Sequence, residues 1–504
     1  MVSVPQQRPH APPRRGDPAF TGNLPAYRPD RDHHTGSFAA VQTGAMPRIQ
    51  RSRVVEASER PRRMAGRGRA GRPMLVLLFW AGLTFSLLPW WWDTAAGSVT
   101  DAAAAYTAGG QITGMIAGYL LLIQILLMSR VGWLERSVGA AEVLGWHRDL
   151  GALLLVVVLA HASLITVGYA ALDGATLLHE SRVILGSYED MISAYLATGI
   201  LTAVGVMAIR RIKNAMPYEL WYYLHTTSYL VLLLGYGHQF AGGANLLPGT
   251  FGRYYWTALN IFVVLCLVWG RVILPLRLNL RHRLRVLEVV HEGPDIFSIY
   301  VHGRRLSELQ AQAGQFFRWR FMTGGCWWQA HPFSLSAAPN DRWLRVTVKA
   351  VGDHTEQLRW LDPGVRVFIE GPSGAFTASR RTRNRALLIA AGSGIAPIRA
   401  LLEDLPRGAV VLYRASTVED LIFRRELDWL AEARAAEVWY ILGGRDDPAP
   451  RRAMSPRGMR ELVPDVAGRD VYLCGPEGMV SAAVATLRKL RVPRRQIHLD
   501  PFEF

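Results

Sequence analysis

The chain has 504 residues, half of them apolar, and 57 Lys and Arg against 40 Asp and Glu give it a formal charge of +17. That length excludes one ordinary soluble domain, and apolar residues bunched in the first half imply a partly membrane-embedded protein. The arginines gather in the N-terminal tail and beside apolar stretches, which fits anionic lipid headgroups better than nucleic acid. Cys266, Cys326 and Cys474 include no Cys-x-x-Cys pair, which excludes thiolate iron–sulfur and structural zinc sites.

Residues 1–72 are rich in Pro, Arg, Ala and Gly and are expected to form a disordered basic cytoplasmic tail, with no visible cleaved signal peptide. Six transmembrane spans follow, at 73–92, 110–130, 145–170, 191–210, 219–240 and 254–274, within a domain covering 73–276. The fifth is polar enough to need shelter inside a bundle. Arg130 and Arg136, then Arg210, Arg211 and Lys213, then Arg271, Arg277, Arg281, Arg283 and Arg285 follow the even-numbered spans. The positive-inside rule therefore puts both termini in the cytoplasm of a multi-pass plasma-membrane protein.

Spans three and five then both run outward. His147 and His161 lie 14 residues apart on one, His225 and His238 13 apart on the other. A rise of about 1.5 Å per residue separates each pair by about 20 Å, one histidine near each membrane face. Histidines are costly to keep in lipid without a role, and two paired by depth can each ligate iron, so two stacked b-type haems are expected. Thirteen residues leave His238 about 140° from His225 on a straight helix, so either the fifth span is distorted, for which Gly235 and Gly237 are candidates, or its two haems approach from different sides. Gly114 and Gly118 on span two suit close helix packing. His179 and His282 fall outside the hydrocarbon and are poor ligand candidates.

After Arg285 the pattern changes to short alternating strands at 284–301, 314–321, 343–351 and 365–370, expected as an antiparallel barrel over 277–380. From 381 to 504 strands alternate with helices, as in a mostly parallel α/β sheet with ligands at the strand C-termini. The turn Gly392-Ser393-Gly394-Ile395-Ala396-Pro397 opens a helix whose amides suit a dinucleotide pyrophosphate. Arg414, Ser416, Arg424 and Arg425 suit a 2′-phosphate, favouring NADPH, with NADH the alternative.

His331-Pro332-Phe333-Ser334-Leu335-Ser336, Val348-Lys349-Ala350-Val351-Gly352-Asp353, Gly371-Pro372-Ser373-Gly374, the turn at 392–397, Cys474-Gly475-Pro476 and a terminal Phe504 occur in this order. The combination resembles the ferredoxin–NADP reductase-like dehydrogenase of the NADPH oxidase and ferric reductase superfamily, and the four histidines resemble its membrane domain. The resemblance implies three domains: a six-helix transmembrane haem-binding bundle, an antiparallel FAD-binding β-barrel and an α/β nicotinamide-dinucleotide-binding domain. It implies that His331, Pro332, Phe333 and Ser334 meet the flavin, with the Ser334 hydroxyl near N5. Lys349, Gly352 and Thr355 would wrap the FAD diphosphate, with Gly371 and Gly374 nearby. Gly392, Gly394 and Pro397 would form the nicotinamide-cofactor loop; Cys474, Gly475 and Pro476 would lie beside the nicotinamide, and Phe504 would cover the flavin. Ser334, Cys474 and Phe504 are the residues expected closest to the reaction. His354 and Ser373 depart from the family pattern, where aromatic residues are usual.

The implied activity is NADPH-dependent electron transfer through FAD and two haems to an extracytoplasmic acceptor. Dioxygen would give superoxide; the alternative is a ferric chelate. The sequence does not separate the two, and indicates no obligate protein partner. A transporter with a fused nucleotide-binding domain and a quinone-linked cytochrome are the competing readings.

Overall fold

The computed structural model describes residues 71–501 apart from 96, 214, 217, 242–244, 325 and 445–446. The expected tail, up to residue 70, and Phe504 lie outside the described residues.

Long apolar runs with definite caps make the first helices. α1 (Gly71–Asp93) is followed by α2 (Ala102–Met128), which starts where the Asp101 carboxylate accepts the Ala104 amide at 2.8 Å. A short α3 (Gly132–Val138) precedes α4 (Ala140–Asp173), which stops at Gly174 in the left-handed conformation. Next come α5 (Leu177–Ser187), α6 (Met191–Met207), α7 (Arg210–Lys213), α8 (Tyr218–Thr226) and α9 (Ser228–Ala241). α10 (Phe251–Val268), capped by Thr250, continues through a π turn at Trp269–Ile273 into α11 (Leu274–His282). α2 is central: Tyr119, Leu120 and Leu122 are buried, and it packs along α4.

Four helices are long and apolar enough to cross a membrane, and a fifth span results if α5 and α6, which meet at 117°, are taken as one. The expected six differ from this at the fifth span, which is split at Thr227 into α8 and α9. There the Thr226 and Thr227 hydroxyls donate at 2.7 Å to the carbonyls of Tyr223 and Leu224, competing with the helical ladder. The break sits beside His225 rather than at Gly235 or Gly237. The linker before span four also holds a helix, α5, because Thr176 caps it by accepting the His179 amide at 3.3 Å.

Alternating residues then build two antiparallel sheets. β1 (Arg285–Gly293), β2 (Ile296–His302) and β5 (Leu344–Lys349) form one in the order β1-β2-β5. β4 (His331–Ser334), β3 (Phe316–Phe321) and β6 (Val367–Ser373) form the other in the order β4-β3-β6. Single bridges join them at Arg285 with Arg366 and at Leu335 with Val346. Phe297, Phe317, Trp319 and Phe321 fill the space between. A short α12 (Asp353–Gln357) follows β5.

The last unit is a five-stranded parallel sheet in the order β11-β10-β7-β8-β9. Its strands are β7 (Ala386–Ala391), β8 (Val410–Ala415), β9 (Glu437–Leu442), β10 (Asp470–Gly475) and β11 (Ile497–Pro501). α13 (Ile395–Asp404), α14 (Arg424–Arg434), α15 (Pro448–Ala453), α16 (Pro456–Leu462) and α17 (Glu477–Lys489) connect them. β7 and β10 are apolar on both faces, as a central parallel strand requires. The crossover through α13 places the glycine turn at the C-terminal end of β7, at a change in strand order.

Candidate functional site

In the membrane half, the rings of His147 on α4 and His225 on α8 lie 6.0 Å apart between centroids. Those of His161 on α4 and His238 on α9 lie 6.2 Å apart. Imidazole nitrogens bond metals at about 2 Å, so a metal between two facing rings sets their centroids about 6 Å apart. The fit extends to the tautomer. His161 Nδ1 lies 2.8 Å from the Gly110 carbonyl, which can accept only from a protonated Nδ1 and so leaves Nε2 as the free lone pair. Gly114 makes room for this ring, since a Cβ there would stand 2.7 Å from it. Among the described residues no three or more His, Cys, Asp or Glu converge to hold a metal ion; two histidines per iron suffice when a porphyrin supplies the other donors. His282 is accounted for otherwise: its Nδ1 is 3.0 Å from the Arg304 carbonyl.

In the soluble half, β4 carries His331, Pro332, Phe333 and Ser334, the residues expected to meet the flavin. His331 and Phe333 stack at 5.6 Å, and the Phe333 carbonyl accepts Trp319 Nε1 at 3.0 Å, which fixes the strand against β3. After β5 and the exposed Lys349, Thr355 Oγ1 accepts the amides of Val351 and Gly352 at 3.0 and 3.1 Å, folding this loop tightly. Gly371 and Gly374, at positive φ, border Phe317 and Phe316 in the turn at the end of β6.

Parallel pairing then brings distant segments together. Cys474 at the end of β10 is in register with Asp500 on β11 and with Ala390 on β7, just before the glycine turn. Gly394 lies against the same strand end; a Cβ on it would be 2.4 Å from the Cys474 carbonyl, so a side chain cannot be accommodated. Gly392 adopts φ 54°, Pro397 is buried on α13, and Gly475 and Pro476 lead into α17.

Asp500 joins the two halves of this site and was not among the residues singled out from sequence. Ser334 Oγ donates to its Oδ2 at 3.1 Å, and Cys474 Sγ lies 3.4 Å from its carbonyl and 3.9 Å from Oδ2. Burial pushes its carboxyl up to about 6, against the lowering effect of Ser334 and Cys474. Burial, and then the Asp500 charge, also raise the Cys474 thiol well above its ordinary value, which keeps it protonated. The one sequence signal was an acid within an otherwise apolar and aromatic terminal strand.

On the neighbouring strand β8, Arg414 is in register with Ala391, just before the glycine turn; Ser416 is exposed, and Arg424 lies over the Tyr440 ring at 5.5 Å. Asp420 Oδ2 accepts the Thr417 amide at 3.1 Å and is thus occupied within its own turn.

Residues 113–236 match the family described as ferric reductase like transmembrane component, 282–377 the FAD-binding domain, and 388–485 the oxidoreductase NAD-binding domain. The chain belongs to the NADPH oxidase and ferric reductase superfamily. Its soluble part is also similar to single reductases. It is 31% identical over 188 residues to ferredoxin–NADP reductase B of Sorangium cellulosum, covering 34% of this chain and 77% of that one. An NADPH oxidoreductase of Mycobacterium tuberculosis is 30% identical over 229 residues, 43% of this chain and 59% of its own length. The solved FAD/NAD-binding domain of nitric oxide dioxygenase from Vibrio cholerae has 26% identity and a TM-score of 0.38, covering 44% of this chain and 98% of that structure. As a superfamily member, the protein is an oxidoreductase that uses FAD and a nicotinamide dinucleotide, with this module linked to a multi-pass membrane domain.

Proposed function

We propose that the protein carries electrons from cytoplasmic NADPH through FAD and two b haems to an acceptor on the other side of the membrane, reducing dioxygen to superoxide. The reading includes a six-helix bundle completed by the broken pair α8 and α9, a closed flavin barrel, and domain limits at 72, 276 and 380. The observation that carries it is the pair of facing imidazoles at two depths, each about 6 Å apart. When bound, FAD accepts a hydride and yields electrons singly, and haem iron relays them one at a time.

The chain's own groups orient and insulate. His147 with His225, and His161 with His238, would hold the two haems. Ser334 would donate near the flavin, Cys474 and Gly394 would seat the nicotinamide, and Arg414 with Arg424 would grip the 2′-phosphate. Phe504, outside the described residues, would cover the flavin. One NADPH supplies two electrons, so two acceptor molecules are each reduced once, leaving NADP+ and one proton in the cytoplasm.

One observation favours ferric iron as a second reading. A cavity of about 690 Å³ at the N-terminal end of α2 is lined by Asp93, Asp101, Gln111 and Asn245, with no Lys or Arg among the described lining residues. Gln111 follows Gly110, the partner of His161. Such a lining suits a cationic acceptor better than an anionic chelate. Inverted vesicles given NADPH outside, with oxygen alone or a ferric salt inside, test both acceptors. Superoxide or ferrous iron forming within supports the reading, and NADPH oxidation with neither product rejects it.

A further inference from the structure

Among the contacts that join the helices up to α11 to the strands of the flavin domain, two differ in chemistry. One is polar. Asn279 on α11 pairs with both the carbonyl and the amide of Ile369 at 2.8 Å, and Arg130 at the end of α2 bonds Glu370 on β6. The other is aromatic and lies next to a histidine of the inner pair. Trp221 stacks on His225 at 4.9 Å and 16°, and one turn of the same helix carries Tyr222 and Tyr223. Tyr223 meets Trp328 of the flavin domain at 6.3 Å, and Trp328 meets His354 edge-on at 5.3 Å.

We propose that Tyr223 and Trp328 form a clasp that sets the gap between the flavin and the inner haem. This deepens the electron-transfer reading and rests on it. Trp328 sits three residues before His331, where the flavin strand β4 begins. His354 follows Gly352 and Asp353 in the loop folded by Thr355. The clasp therefore reaches both segments assigned to FAD, and through α8 it reaches the histidine assigned to inner iron.

The physical need is clear. One-electron transfer across a gap falls off exponentially with distance, so its rate depends on how the protein positions the two cofactors relative to one another. The break at Thr227 leaves α8 a short helix of nine residues, which contacts with the flavin domain must help to fix. Two broad aromatic side chains do this with little loss of rotamer freedom. Tyr223 is half exposed and Trp328 36% exposed, so neither serves as core filler. Both are positioning residues and do not themselves need to be oxidised: each electron leaves reduced flavin and arrives at haem iron.

The test uses full-length protein in detergent or vesicles, loaded with FAD and haem. In anaerobic stopped flow, Trp328→Leu and Tyr223→Leu should slow haem reduction on the order of tenfold, while NADPH still reduces the flavin at the normal rate. Trp328→Phe should restore most of the haem step, and the double Leu variant should be no slower than the worse single one. A readout independent of turnover is cross-linking: Tyr223→Cys with Trp328→Cys, treated with a short bis-maleimide, should yield a bridged peptide by mass spectrometry that neither single variant gives. Unchanged haem reduction in the Leu variants overturns the clasp, as does a parallel fall in FAD affinity or flavin reduction, which would make Trp328 a flavin seat. Absence of the bridged peptide in haem-loaded protein overturns the clasp alone; wild-type protein that binds no haem overturns the parent reading.

Discussion

Asp500 gives Ser334, proposed to meet the flavin, and Cys474, proposed to seat the nicotinamide, a common hydrogen-bond acceptor. Its folded value of about 6 stands above the ordinary carboxylate range, so the fold favours the protonated form. The contribution to stability is present below about pH 4 and is lost as pH rises through about 6, a swing of roughly 3 kcal/mol. Asp500→Asn should therefore raise the thermal midpoint of the full chain at pH 8 more than at pH 4. The same variant should flatten an inflection near pH 6 in flavin reduction by NADPH; a retained inflection assigns it elsewhere. Gly114→Ala tests the other half at the same scale. Its Cβ would press on the His161 ring at 2.7 Å, so haem content should fall by one per chain, with an overpacking cost of about 1–3 kcal/mol. Pyridine haemochrome analysis measures this directly.

At the scale of elements, the glycine turn and the end of β10 form one unit. Gly394→Ala would drive a Cβ into the Cys474 carbonyl, and backbone cannot yield as a side chain can. The KM for NADPH should rise on the order of tenfold or more while FAD content stays normal; steady-state kinetics and flavin absorbance separate the two. Sequence periodicity was enough to read α1, α2, α4, α10 and the parallel sheet, because long apolar runs and strand–turn–helix alternation are local signals. A break in the fifth span was legible as one of two ways to meet the 13-residue spacing, but its position at Thr227 was not, since Thr hydroxyls turning onto the backbone leave no apolar signature. α5 was missed because its charges hide it among linker residues. The histidines and the glycine turn announce themselves by residue type. Asp500 does not, for its role arises from register with a strand 26 residues earlier.

Across the whole molecule, buried charge pins the two soluble domains together. Arg345 on β5 grips both oxygens of Glu426 on α14 at 2.7 and 3.0 Å, and Arg399 on α13 reaches the same carboxylate at 2.6 Å. Arg345 also donates to Ser336, two residues after Ser334. Burial alone would raise the Glu426 carboxyl, but Arg345 and Arg399 outweigh it and hold it below its ordinary value. Glu426→Gln strips buried Arg345 of its ion-pair partner and leaves Arg399 paired with Glu403 alone, and should destabilise the soluble half by about 3–5 kcal/mol, measured by denaturant unfolding followed through flavin fluorescence.

The polar joint at Asn279 and Arg130 and the aromatic contact at Tyr223 then couple this rigid pair to the bundle, on the side where Arg271 donates to the Met128 carbonyl. The central claim is that the facing histidines hold iron porphyrin, and the optical spectrum of the purified protein before and after anaerobic NADPH tests it most directly. The account predicts low-spin b-haem bands at a stoichiometry of two per chain, all reduced by NADPH, with one haem lost in His147→Ala. A colourless preparation, or bands unaltered by that substitution, would contradict it.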